Sequence, residues 1–125
     1  ERVFDAREPR DEWWPEVLSL TGKHAHLVHA RVGWEQSPQV GDPSAQENHA
    51  AVEAHLSWWA EIWKMQAQRG LTETWNEPEF GPAPYIQTLP HTQMPVVDLW
   101  EANRYMASRI SSKFDQTVGH SDFES

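Results

Sequence analysis

The chain has 125 residues with nineteen acidic and ten basic side chains, a net charge of −9, eight tryptophans and no cysteine. That length supports one domain with a modest core rather than two, and the acidic balance repels phosphate backbones and argues against a nucleic-acid partner. The missing cysteines exclude disulfides and thiolate metal sites, so any metal would need nitrogen and oxygen ligands, and no apolar run approaches the about 18 residues of a membrane span.

Small molecules, metals and other proteins remain as partners, and a soluble, cytoplasmic setting is the expectation. The sequence starts at Glu1 rather than at a methionine, which leads us to expect processing or truncation.

Residues 1–10 are charged and end beside a proline, as the tail of an earlier element would. A helix is expected over 10–22, with Asp11 as its N-cap, Pro15 in its first turn and Gly22 closing it. Trp13, Trp14, Val17, Leu18 and Leu20 supply its apolar side. A strand follows over 24–32. Side chains alternate along a strand, so Leu27, His29 and Arg31 share one face while Val28, Ala30 and Val32 share the other. The first face carries chemistry and the second is apolar.

Gly33 to Pro43 is a loop, and Asp42 or Ser44 can cap the helix predicted over 44–69, which stops at Gly70. Val52, Leu56, Trp59, Ile62 and Trp63 recur at steps of three and four and form its apolar stripe, so Trp59 and Trp63 belong to the core; Glu53, Glu61, Lys64 and Gln68 fall outside the stripe. A second strand is expected over 72–80, ending in polar side chains and a glycine as the first does. The prolines between 78 and 95 forbid a regular element there. A last helix over 96–114 brings Leu99, Trp100, Asn103, Met106, Ile110 and Phe114 onto neighbouring faces, and 115–125 reads as a loose polar tail.

Helix, strand, helix, strand, helix implies an α/β fold with parallel strands joined by a right-handed crossover. Two parallel strands leave two open edges and bury little. More strands are therefore expected, from another copy or from a larger barrel of which this is a piece.

His29 and Glu79 fall near the carboxyl ends of strands that can be neighbours. Imidazole and carboxylate together suit Mn²⁺, Mg²⁺, Co²⁺ or Zn²⁺, although two ligands are few, and a buried histidine beside a surface glutamate is the plainer alternative. Glu77 shares the face of Glu79 under strict alternation and competes with it as ligand. His24 and His26, at the strand's start, suit structural or solvent roles. Trp34, Glu35, Gln39, Tyr85 and His91 lie on the two loops beyond the strand ends.

The runs His-Leu-Val-His-Ala-Arg-Val-Gly-Trp-Glu-Gln-Ser-Pro-Gln-Val (26–40), Glu-Pro-Glu-Phe-Gly-Pro-Ala-Pro-Tyr (77–85) and Val-Asp-Leu-Trp-Glu-Ala-Asn (97–103) resemble the carboxyl-terminal part of the sugar phosphate isomerase/epimerase family, the xylose-isomerase-like TIM barrels. The resemblance covers about residues 11–114. It implies a carboxyl-terminal fragment of a TIM (β/α)8 barrel, about two strand-helix units (β7-α7-β8-α8) preceded by a helix. It further implies a divalent metal held by a Glu, an Asp, a His and a second Glu, of which His29 and Glu79 match the last two, while the first two fall upstream of Glu1. By the same resemblance Glu79 is ligand and general acid/base and Arg31 faces the substrate; Trp34, Glu35, Gln39, Tyr85 and His91, on the two top loops of such a barrel, would border its pocket, with Trp34, Glu35 and His91 the candidates to meet the sugar.

The activity so implied is proton transfer beside a carbonyl, in ketose–aldose isomerisation or epimerisation, absent from this fragment alone. The alternative reading is a non-catalytic acidic, tryptophan-rich module that binds a protein partner or associates with itself through its open sheet edges. A carbohydrate-binding module is a weaker third, because most of the tryptophans fall in helical patterns.

Overall fold

The computed structural model describes residues 10–118, with side chains described from Trp13 onward. The expectations for residues 1–9 and for the tail beyond 118 lie outside the described residues. The elements are α1 (Arg10–His24), β1 (Leu27–Ala30), a short 3-10 turn (Gln46–Asn48), α2 (His49–Gln68), β2 (Trp75–Pro78) and α3 (Leu99–Thr117). The strands pair in parallel with Leu27 opposite Trp75, Val28 opposite Asn76, His29 opposite Glu77 and Ala30 opposite Pro78. The α/β order and the parallel pairing agree with the sequence.

Both strands are shorter than expected, for local reasons. At the start, α1 runs two residues past Gly22, with the Ala25 amide still bonded to the Thr21 carbonyl at 2.8 Å. Gly22 does not end the helix; it is where α1 touches α2, since a Cβ there would stand 2.1 Å from Met65 Cε and 2.5 Å from its Sδ. Asp11 correspondingly lies inside α1, and Pro15 is an interior proline. At the far end of β1, the Arg31 amide turns back to the His29 carbonyl at 3.1 Å. In β2, Pro78 has no N–H to donate, and the ladder stops there.

Val28 and Ala30 of β1 and Val32 just beyond it are buried, and they join Val52, Leu56, Trp59, Ile62 and Trp63 of α2 and Ala102, Met106 and Ile110 of α3 in one apolar cluster. The α2 stripe is therefore as the periodicity predicts. Helix α1 packs on α2, α2 on α3, and α3 on β2. The other sheet face stays open: Leu27 is 46 % and Trp75 63 % exposed. Val17 and Leu20 of α1 and Trp100 of α3, all expected on apolar faces, are exposed as well.

A run of rings ties α1 to α2. Trp13 meets Trp14 with centroids 5.7 Å apart, Trp14 meets Trp58 at 5.0 Å, and His55 meets Trp58 at 4.7 Å and Trp59 at 5.8 Å.

The helix ends follow known chemistry at residues only partly anticipated. Asp42 and Ser44 do not cap α2. Asp42 Oδ1 instead accepts from the Ser44 amide at 2.9 Å and its hydroxyl at 2.7 Å, and α2 begins after Asn48, which supplies no side-chain cap. Gly70 does end α2: its φ is +85°, its amide bonds the Ala67 carbonyl at 3.0 Å, and the Leu71 amide bonds the Gln66 carbonyl at 3.2 Å, a Schellman motif. Helix α3 starts three residues later than expected because Asp98 caps it, accepting from the Glu101 amide at 3.1 Å, and it runs on to Thr117.

Candidate functional site

Alternation sends His29 and Arg31 to the open side of the sheet, and the parallel register brings the start of the loop after β2 beside them. His29 Nδ1 stands 3.1 Å from Glu79 Oε2 and 3.8 Å from Glu77 Oε2. Facing a carboxylate, Nδ1 is the protonated ring nitrogen and donates. Arg31 gives Nε to the Glu79 carbonyl at 3.0 Å and Nη2 to Glu79 Oε1 at 3.3 Å. Its guanidinium lies 4.4 Å from the centroid of the Tyr85 ring, a cation–π contact. Both Glu79 oxygens thus have a cationic or donating neighbour. Arg31 has only 15 % of its side chain exposed, so it is held in one geometry.

Past Pro78 the backbone has left the sheet, yet Phe80 is 5 % exposed, and its polar groups need partners. Two side-chain amides supply them. Asn103 of α3 accepts from the Phe80 amide through Oδ1 at 2.9 Å and donates to the Phe80 carbonyl through Nδ2 at 3.2 Å. Gln39, fully buried on the loop after β1, accepts from the Gly81 amide through Oε1 at 2.9 Å and donates to the Gly81 carbonyl through Nε2 at 3.1 Å. With Arg31 on the Glu79 carbonyl, three consecutive residues are fixed by three side chains, two from the loop after β1 and one from α3. Sequence reasoning placed Gln39 at a pocket border and Asn103 on a helix face without seeing this role. The signal was there in a proline that ends a ladder just before an apolar residue.

No family model, curated protein or solved structure matches this chain.

The expected substrate residues do not gather in one place. Trp34 and Glu35 line a separate cavity of about 150 Å³ with Gly33, Glu47, His55 and Trp58. In its wall His55 donates Nδ1–H to the Ala51 carbonyl at 2.7 Å and presents Nε2 to the Gly33 amide at 3.4 Å. His91 sits exposed with φ +66° on the turn closed by Leu89 and Met94, and among the described residues no hydrogen bond or ion pair links it to His29, Arg31 or Glu79. His24 and His26 are exposed at the amino-terminal side of β1.

The resemblance implies a divalent metal, and the donor geometry tests it. Two donors each about 2.1 Å from an ion and at right angles stand about 3.0 Å apart. The 3.1 Å between His29 Nδ1 and Glu79 Oε2 fits two adjacent positions on such an ion. Loading it would move the Nδ1 proton to Nε2 or to solvent. Among the described residues no group of three or more His, Asp or Glu side chains is disposed to hold a metal. Among the described residues no helix is long and apolar enough to cross a membrane.

Proposed function

We propose that this chain is the carboxyl-terminal part of a TIM-barrel sugar or sugar-phosphate isomerase/epimerase that uses a divalent metal, with Mn²⁺, Mg²⁺, Co²⁺ and Zn²⁺ the candidates. The observation that carries the reading is the convergence of His29 Nδ1 and Glu79 Oε2 at the carboxyl ends of adjacent parallel strands, 3.1 Å apart. Active sites of such barrels form at that end. The one-sided helical cover supports it too, because a barrel strand turns one face to helices and the other inward, where Leu27 and Trp75 would be enclosed by further strands.

In this reading His29 and Glu79 would hold the metal, which would supply Lewis-acid polarisation of the oxygens beside the reacting carbon. A Glu79 carboxylate oxygen takes or returns the proton at the carbon next to the carbonyl, with an upstream glutamate as its partner. Arg31 keeps Glu79 aimed through Nε and Nη2, leaving Nη1 for a sugar oxygen. Trp34, Glu35 and His91 are assigned to the sugar only through the resemblance.

Thermal unfolding with and without Mn²⁺ tests the metal part. Binding at about a hundredfold excess over Kd stabilises by about 2.7 kcal/mol, and the rise should vanish in His29→Ala and in Glu79→Gln. A wild-type chain that Mn²⁺ leaves unmoved refutes it. Turnover of ketose sugars by these 125 residues alone would refute the fragment part.

A second reading has its own observation. Leu27 and Trp75 lie opposite each other in register, both exposed on the uncovered face. A non-catalytic, self-associating module would use that patch. Under this reading Trp75→Ser abolishes concentration-dependent association in sedimentation, while Mn²⁺ has no effect on either protein.

A further inference from the structure

Glu79 lies outside any regular element, one residue past the end of β2. A side chain on such a segment is only as well placed as its backbone. Here the backbone is held at Glu79 by Arg31, at Phe80 by Asn103 and at Gly81 by Gln39. The two amides work in the same way. Each offers its oxygen to an N–H and its nitrogen to the carbonyl of one residue, the pattern a neighbouring strand would offer. Gln39 is fully buried, and its own loop is tied back to the segment just after β1, where the Val40 amide bonds the Val32 carbonyl at 2.8 Å. Asn103 rides on α3 between Ala102 and Met106, which face the core. The loop after β2 is therefore referenced to β1 on one side and to the core helix on the other.

We propose that Gln39 and Asn103 are positioning residues for Glu79, acting as strand substitutes that set its carboxylate against His29 beyond the point where Pro78 ends the sheet. The proposal rests on the metal-site reading, and it makes Glu79 a ligand whose geometry is written in two residues that touch neither metal nor sugar. Outer partners of this kind commonly change metal affinity by about ten- to a hundredfold when removed.

The test compares the wild-type chain with Gln39→Leu and Asn103→Leu, and uses Gly70→Ala as a control that lowers stability at the far end of α2. Mn²⁺ affinity is read by calorimetry, and the ring-nitrogen NMR shifts of His29 are read at one fixed pH with and without Glu79→Gln. We expect both variants to bind Mn²⁺ ten- to a hundredfold more weakly while the control binds as wild type. In metal-free protein, Glu79→Gln should displace the His29 ring signals in the wild type and leave them nearly unmoved in the Gln39→Leu background.

Undiminished Mn²⁺ binding by both variants overturns the proposal. So does an equal loss in the control, which would mark a purely structural role. If the wild type itself binds no Mn²⁺, the metal reading fails, and the His29 signals alone decide whether Glu79 is positioned: an undiminished displacement in Gln39→Leu overturns it. Should Gln39→Leu not fold, Gln39→Met replaces it, keeping the length of the side chain while losing both the acceptor for the Gly81 amide and the donor to its carbonyl; it should show the same loss, and none would overturn the proposal.

Discussion

Trp63 is fully buried on α2, donates Nε1–H to Asn76 Oδ1 of β2 at 2.8 Å, and meets the Phe114 ring edge-on with centroids 5.5 Å apart. One side chain thus joins the central helix to the second strand and to α3. Trp63→Phe keeps a ring but removes the donor. The lost volume costs about 1–2 kcal/mol, and leaving the Asn76 oxygen without its donor costs about 1–3 kcal/mol, so the total is about 2–5 kcal/mol. Asn76→Leu orphans the indole N–H in a fully buried place and costs about 1–3 kcal/mol by the same reasoning. The double variant removes both partners and should lose about 1–2 kcal/mol less than the sum of the two. Urea unfolding followed by circular dichroism measures it: at an m-value of about 1.5 kcal/mol/M, a loss of 3 kcal/mol shifts the midpoint by about 2 M. Costs that add to within about 0.5 kcal/mol would refute the claim that this hydrogen bond, rather than bulk alone, couples α2 to β2.

Three further changes are read by thermal unfolding. Gly70→Ala meets no atom within 4 Å, so its cost is conformational, about 1 kcal/mol for a side chain at φ +85°; Gly70→Asn should lose less. Asp98→Ala removes the cap of α3 and should cost about 1 kcal/mol, with Asp98→Asn close to wild type. Gly22→Ala sets a methyl where the flexible end of Met65 now lies, so Met65 must swing aside, and the helix-propensity gain of about 1 kcal/mol offsets that; the net change should stay within about 1 kcal/mol, and should be clearly stabilising in a Met65→Ala background.

The parts of the fold that follow from periodicity were legible in the sequence. The alternation through Leu27 to Val32 and the stripe from Val52 to Trp63 each name their buried face without reference to the rest of the chain. Gly70 was legible because a helix stop there needs no partner. Gly22 was not: a glycine that ends a helix and one that lets two helices touch look alike until Met65 is known to lie opposite. Asp98 with Glu101 carried a readable capping signal, and the proline-rich approach to it drew the predicted start too early. At the site, His29, Glu79 and Arg31 could be brought together on paper by strand parity. The division of Trp34 and Glu35 from that group could not, because loop direction after Gly33 depends on His55, twenty-two residues on. The roles of Gln39 and Asn103 were hidden for the same reason, since a side-chain amide pairs with whatever backbone the fold delivers.

The run of rings from Trp13 to Trp59 will also colour any optical measurement on this protein. Indoles with centres 5.0 Å apart and planes inclined at 62°, as in Trp14 and Trp58, share their excited states rather than absorbing independently. Such a pair contributes an ellipticity of its own in the far ultraviolet, overlapping the helical signal. Apparent helix content will then depart from that of α1, α2 and α3 together, and replacing Trp14 by phenylalanine will change the spectrum without unwinding a single turn.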